Sequence, residues 1–428
     1  MAVPRAGLIA SAVANVLILS LVFPPDSVST AEIMADLALD LKELGHSVTV
    51  LTTVPHYNPD RAAQERQPLR PFWGRLLRRS SYHGIPVYHA AIAAKTPSIL
   101  ERVMGWFGFH VVSTIAGLVT VPKPDVILVP SPPLSIGLSA WIIGALRGAR
   151  FIYNVQEIYP DIAVKLGALE NPRAIRALEA LERFVYRRAT VVTVIASRMR
   201  QRLIEKGVPP HKVRVIPNFV DLERLALVPK DNEFSRRLRL QKAFSVTYAG
   251  NMGPAQGLDI VLDAARLMVP DGPTVRFVLI GEGTLRTRLT TEAEALPGSI
   301  VSVLPYQPNS MMPQIYSASD ICLVPQAAAT GSDAIPSKVY RIMASARPII
   351  AVTEDGSDLA TLVRDAQCGV IVAPDDAAAL ADVVQGAARA PEIWQEMGNR
   401  GRAHVASRYS RRVITAEYDS LIRTVAAE

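Results

Sequence analysis

Cysteine is almost absent from this chain: Cys322 and Cys368 are its 2 cysteines in 428 residues, each set among apolar neighbours. That excludes a disulfide framework or a cysteine-based zinc module, and fits two small buried hydrophobes in a reducing compartment. There are 7 histidines, and neither a DxD run nor a His/Cys cluster marks a metal site. No apolar run reaches the ~20 residues that cross a bilayer. The best imitation of a secretory signal, Arg5 followed by Ala6 to Ala14, runs straight into Asn15 to Ser20, which reads as the first core strand. Cleavage there would crowd or remove that strand, so residues 1–14 are expected to form a non-structural leader. Nucleic-acid motifs are missing as well. The net charge is +7 and the pI near 9.4, but the cations are dispersed, which favours an anionic substrate or surface over nucleic acid.

What is present is a globular composition, 49% hydrophobic and 20% charged, long enough for two or three domains. Nearly continuous apolar runs, such as Val16 to Val22, Ser47 to Thr52, Val126 to Val129 and Phe151 to Val155, alternate with helix-like segments. That pattern predicts a parallel sheet covered on both faces. The pattern restarts at Ser245 to Ala249 and continues through Val275 to Ile280, Ile321 to Val324 and Gly369 to Val372. The polar stretch between reads as a helical link. The expected organisation is a first α/β domain over 15–222, a linker over 223–244, a second over 245–405, and a C-terminal helix from 406 that crosses back to the first domain. Two doubly wound halves facing a central cleft suit a two-substrate enzyme.

The chain's most suggestive stretch is Gly331 to Ile350. It follows the apolar run Ile321 to Pro325, places Pro336 where a first helical turn tolerates it, and puts Ser337 and Lys338 at a helix start. A helix start at the carboxyl edge of a parallel sheet suits an anion. An ordinary βαβ connection would look the same.

Several motifs, taken in order, resemble the retaining glycosyltransferases of family 4, which have the GT-B fold. They are Phe23-Pro24-Pro25-Asp26, Leu44 to Thr52, Pro209 to Asp221, Tyr248 to Gly253, Ile280 to Gly283, Leu304-Pro305-Tyr306 and Ala318-Ser319-Asp320. Within the family, Tyr153 to Asp161 and Pro336-Ser337-Lys338 resemble the WbuB-type branch of surface-polysaccharide biosynthesis. The resemblance implies transfer of a sugar, an N-acetylated or deoxy hexose, from a UDP- or GDP-sugar to a polyprenyl-diphosphate-linked acceptor. The products would be O-antigen, capsule or exopolysaccharide. It also implies retention of configuration, no metal or other cofactor, and a cytoplasmic protein held peripherally on the inner membrane.

The resemblance also distributes roles. Asp333, Glu157 and Lys338 would be catalytic. Gly250, Asn251, Gly253, Gln256, Gly281, Glu282, Tyr306, Ser337 and Arg341 would hold the donor. Ser29, Thr30, His56, Gln156 and Asp161 would lie on the acceptor side. The chain departs from the family where two glutamates usually stand, with Asp333 and Arg341 in their places. Arg341 cannot accept from a ribose hydroxyl, because guanidinium only donates; it would reach a phosphate or solvent. The usual diphosphate cations fall near neutral Asn251 and Gln256, a loss that Lys338 and Arg341 would offset. Asp161 reads equally as the cap of a following helix. The glycines of the GNMG and GEG loops read either as a diphosphate approach and a base loop or as plain turns. His56 reads as an acceptor contact or as a structural histidine.

Arg70 to Tyr88 mixes Phe72 and Trp73 with Arg70, Arg75, Arg78 and Arg79, and Arg102, Trp106, Phe107 and Phe109 extend the theme. It reads as a membrane-surface element or as a solvated basic helix packed by its aromatics. A UDP-sugar 2-epimerase and a non-catalytic, nucleotide-binding GT-B subunit are the rival readings. The first would need carboxylates and histidines converging on the sugar, and no convincing set is found.

Overall fold

A computed structural model describes residues 13–26, 28–56, 61–91, 99–165, 167–268, 274–328 and 335–428, with side chains for all of these but 61–62 and 99–104. Most of the expected leader, 1–12, lies outside that range, as do Asp333 and the start of the 331–350 stretch. Two compact units divide the chain. The first holds the residues up to Ile195, Arg200–Ile216 and Ile414–Glu428; the second holds Ala196–Met199 and Pro217–Val413.

The first unit is built on β1 (Asn15–Leu19), β2 (Ser47–Thr53), β3 (Arg70–Trp73), β4 (Leu77–Tyr82), β5 (Ile85–Ala90), β6 (Val126–Ser131), β7 (Arg150–Val155), β8 (Val191–Val194) and β9 (Val213–Val215). The sheet order is β3-β4-β5-β2-β1-β6-β7-β8-β9. β5 through β9 are parallel, and β4 runs antiparallel to both its neighbours. β3 and β4 correct the helical reading of Arg70 to Tyr88. Leu77 and Ser80 are buried while Arg78 and Arg79 are exposed, and His83 (φ 48°) and Gly84 (φ 81°) make the tight turn into β5. Positive φ at both turn positions matches the twist of a two-residue hairpin.

The second unit carries β10 (Phe244–Ala249), β11 (Val275–Ile280), β12 (Val301–Leu304), β13 (Ile321–Pro325), β14 (Ile349–Val352) and β15 (Gly369–Val372), all parallel, in the order β12-β11-β10-β13-β14-β15. Its strands are largely apolar because both faces are covered. Ile321, Leu323, Ile350 and Val352 enter the core on one face, with Phe277 and Leu380; Cys322, Val324, Ile349 and Ala351 enter the other, with Val339 and Met343. That is the two-residue period of a strand between two helical layers. Both cysteines are free and buried, and burial pushes their thiols up to about 12.

The expected helical linker is neither helical for most of its length nor a linker. Within 223–244 the helix is Glu233–Arg237, and Phe234 and Leu240 are buried against Val278, Ile280 and Ile315 of the second unit. The C-terminal helix expected from 406 is Arg411–Ala427, set off from the preceding helix Pro391–Arg408 where Ser410 pairs with Val220. Residues 414–428 dock on the first unit. Asp419 bonds the buried ring of His46 at 2.7 Å, and Tyr418 accepts from Asn154 at 3.0 Å.

In each sheet the strand order reverses beside the first strand, between β1 and β6 and between β10 and β13. Crevices outside the carboxyl ends at such points are where open α/β sheets hold ligands.

Candidate functional site

In the second unit three loops leave the carboxyl ends of β10, β11 and β12 and continue the sheet ladder past its edge. Gly250 donates to Ile280 O at 2.9 Å, Gly281 to Leu304 O at 3.0 Å, and Met252 to Glu282 O at 2.7 Å. A Cβ on Gly281 would collide with the Gly250 carbonyl, and one on Gly283 with the Met252 carbonyl. These glycines therefore let two loop backbones touch. Gln256 folds over the first loop, accepting from Gly253 N at 3.0 Å and from Asn251 Nδ2 at 3.3 Å. Asn251 and Gln256 thus bond each other. Glu282 accepts from Tyr306 N at 3.4 Å, beside an exposed Tyr306 ring, and lies 3.5 Å from Arg286.

Lys338 opens the helix Lys338–Ala344 and reaches this cluster. Its ammonium lies 4.0 Å from the centre of the Tyr248 ring, and a Cβ on Gly250 would collide with it. Tyr248 is fully buried and donates to Asn251 O at 2.5 Å, which fixes the ring. Lys338 has no carboxylate partner among the described residues, and burial pulls its pKa down to about 7. The ring face attracts the ammonium, while burial without a counter-ion disfavours its charged form. Ser337 caps the helix without a side-chain cap bond, and Arg341 is half-buried one turn on, beside Tyr316. The structure thus brings Gly250, Asn251, Gly253, Gln256, Gly281, Glu282, Tyr306, Ser337 and Lys338 to one sheet edge. Tyr248, which holds the lysine, carries no role in the sequence reading; an aromatic at the end of an apolar strand is its only signal.

The first unit's edge is different. Buried Asp26, after β1, accepts from the backbone N of His56, after β2, at 3.2 Å, and lies 3.7 Å from its Nδ1. Thr53 Oγ1 donates to Leu21 O at 2.8 Å and lies 2.9 Å from the same ring nitrogen. Behind it, His89 is buried between Ser80 Oγ at 2.7 Å and Thr53 O at 3.0 Å, and burial pulls its pKa down to about 4. Gln67 ties Ser80 to Pro24 O. This network joins the two loops that carry Asp26 and His56. Ser29 is exposed and Thr30 half-buried in the first turn of the helix Ser29–Glu43.

Glu157 follows β7 at the surface. Its carboxyl is sunk far enough among its neighbours that burial raises its pKa, and no ion pair or hydrogen bond holds it among the described residues. Two acceptor-side expectations are answered otherwise. Gln156 is buried and donates to Asn154 Oδ1 at 2.6 Å, inside the network that anchors Tyr418. Asp161 begins a short helix, Asp161–Lys165, and pairs with Lys206 at 2.5 Å and Arg202 at 2.8 Å. Burial pushes its pKa up, but the hydrogen bonds and charges of Lys206 and Arg202 outweigh that and lower it. Both side chains hold the fold.

Both sheets are wound in the same order, and the second carries the Lys338 ammonium at its edge. The model of the glycosyl transferase 4-like domain matches residues 30–218, and that of glycosyl transferases group 1 matches residues 243–389. The chain is a glycosyltransferase of the GT-B fold. It is 24% identical over 387 residues to a protein of Escherichia coli (strain K12) named as a colanic acid biosynthesis glycosyl transferase, WcaI, covering 88% of this chain and 93% of that one. It is 23% identical over 188 residues, 43% of this chain and 44% of the relative, to the amylovoran biosynthesis glycosyltransferase AmsK of Erwinia amylovora. Among solved structures, Anabaena Alr3699/HepE in complex with UDP and glucose aligns with a TM-score of 0.73 at 15% identity, over 96% of this chain and 100% of that one. WaaG, a glycosyltransferase involved in lipopolysaccharide biosynthesis, aligns with a TM-score of 0.64 at 13% identity, over 95% and 99%. These relatives are named for bacterial polysaccharide and lipopolysaccharide biosynthesis.

Proposed function

We propose that this GT-B glycosyltransferase moves a hexose, N-acetylated or deoxy, with retention of configuration. The donor is a UDP- or GDP-sugar, and the acceptor is a saccharide on a polyprenyl diphosphate at the cytoplasmic face of the inner membrane. It is read as a member of the WbuB-type branch of family 4. The observation that carries this reading is the Lys338 ammonium, seated on Tyr248 against Gly250 with no carboxylate partner among the described residues. The HepE structures carrying UDP support a nucleotide donor for this fold.

In this reading Lys338 meets the diphosphate. The glycine loops let the backbone come close to it, and Tyr306 and Glu282 flank the base. Asn251 and Gln256, neutral and bonded to each other, shape the loop instead of binding charge. As the bond from the sugar's anomeric carbon to the phosphate oxygen loosens, Lys338 stabilises the departing diphosphate, and Glu157 is assigned to the positive charge growing on the sugar. The acceptor hydroxyl attacks from the same face and gives its proton to the leaving phosphate, so neither a metal nor a strong base takes part. Asp333 is assigned to the sugar hydroxyls, Ser337 and Arg341 to the phosphates, and Ser29, Thr30 and His56 to the acceptor.

A thermal-shift panel of UDP, GDP, ADP and their sugars tests it. A rise with one nucleotide family is expected. No rise with any of them would overturn the donor assignment and favour the non-catalytic reading.

A further inference from the structure

The helix Ile99–Val119 packs on β2, β5 and the helix Ile136–Arg147. No Asp, Glu, Lys or Arg occurs from Val103 to Pro122, so the helix has no charged face to give to water. A helix that is apolar all round is normally covered all round. Half of this one is: Phe109, Ser113 and Ala116 are buried, and Gly117 lies so near Ile143 that a Cβ would collide with it. The other half is not. Phe107 is 64% exposed, Val111 42%, Ile115 47% and Val119 69%, at four-residue spacing along one stripe roughly 18 Å long. Trp106 stands beside it, 40% exposed.

The β3–β4 hairpin joins the same end of the sheet through β5 and adds exposed Phe72 and Leu76. Of the 16 large apolar side chains exposed among the described residues, 7 lie in the hairpin and this helix. The hairpin also exposes Arg70, Arg75, Arg78 and Arg79. Glu101 is the one acidic residue between Glu65 and Asp125.

An apolar stripe beside an almost purely cationic hairpin needs a partner that offers hydrocarbon and negative charge together. A bilayer leaflet containing anionic lipid offers both. A second copy of the chain would set arginine against arginine. We infer that this helix stripe and hairpin form the surface on which the first unit lies on an anionic membrane. The helix sits in the plane of the interface and the arginines reach the headgroups. The inference rests on the peripheral-membrane part of the proposed function and gives it a place on the molecule.

Flotation of the full chain with phosphatidylcholine vesicles, with and without phosphatidylglycerol, tests it apart from catalysis. Binding is expected with the anionic vesicles and is expected to weaken with salt. The double substitution Phe107→Asp and Ile115→Asp should lower partitioning by about tenfold or more. The pair Arg75→Glu and Arg78→Glu, exposed and outside the core, should do the same should the first pair disturb folding. Melting temperature and the nucleotide-induced shift should stay unchanged in the variants, which separates failure at the membrane from failure of the donor site. No flotation of the wild type, equal flotation of the variants, or a dimer in sedimentation that Phe107→Asp and Ile115→Asp split would overturn it.

Discussion

The two units wind their sheets in one order and present opposite chemistry at the same edge. The second unit's edge ends in glycine loops and a cation; Lys338 has an aromatic face beneath it and no carboxylate partner among the described residues. The first unit's edge ends in Asp26, His56 and Glu157, and the cations Lys206 and Arg202 are paired with Asp161. The same winding thus carries two different sets of loop residues, and the proposed function assigns phosphate to one edge and a hydroxylated partner to the other.

The largest test of that division is Lys338→Met. The thioether keeps a similar shape over Tyr248, so the unit should still fold. Losing a charged contact to the diphosphate should cost about 3 kcal/mol, roughly a hundredfold in nucleotide affinity by titration calorimetry. An unchanged Kd would put the donor's cation elsewhere. On the opposite edge, Glu157→Gln should lower kcat by about tenfold or more and leave the nucleotide Kd alone. A variant that weakened nucleotide binding instead would erase the distinction between the edges.

A pH series separates the edges more finely. The Lys338 pKa, pulled down to about 7 by burial, lies below the ~10.4 of an unfolded lysine. Between those values the unfolded chain binds the extra proton, so this group makes the free protein more stable as pH rises from 7 to about 10. The nucleotide binds the charged amine, so its affinity should fall as pH climbs through about 7, by up to ~tenfold per unit. In Lys338→Met the Kd should lose that dependence; a parallel slope would assign the titration to another group.

Much of this was legible in the sequence and some was not, for physical reasons. Apolar runs bounded by helices marked the parallel strands to within three residues at each end, because strands buried on both faces can carry little else. The β3–β4 hairpin was missed because arginines outnumber its buried side chains, although the His83-Gly84 turn from β4 into β5 carried a hairpin signal. The polar stretch 223–244 hid Phe234, a single buried anchor that no periodicity marks. At the site, Lys338 and the glycine loops were readable from their place after strands. Partnerships across the sequence were not. Nothing in the spacing of Asp161 and Lys206 announces an ion pair, nor does Tyr248 announce that it will cradle a lysine.

Asp161 supplies the smallest effect on activity and the sharpest control. Its side chain is 14% exposed and that of Lys206 15%, at 2.5 Å, with Glu182 a further 2.7 Å from the same ammonium. Its lowered pKa means that its contribution to stability is present above the ordinary carboxylate range and is lost as pH falls through the folded value. Asp161→Asn leaves Lys206 to Glu182 alone and should cost about 1–3 kcal/mol of stability at neutral pH, read by chemical denaturation. The gap from wild type should close in acid, where the wild-type carboxyl is itself protonated. Transfer by the folded fraction should be untouched. If Asp161→Asn instead abolished transfer at full stability, this carboxylate would be reaching a substrate, and the first edge would carry one more functional charge than its ion pairs suggest.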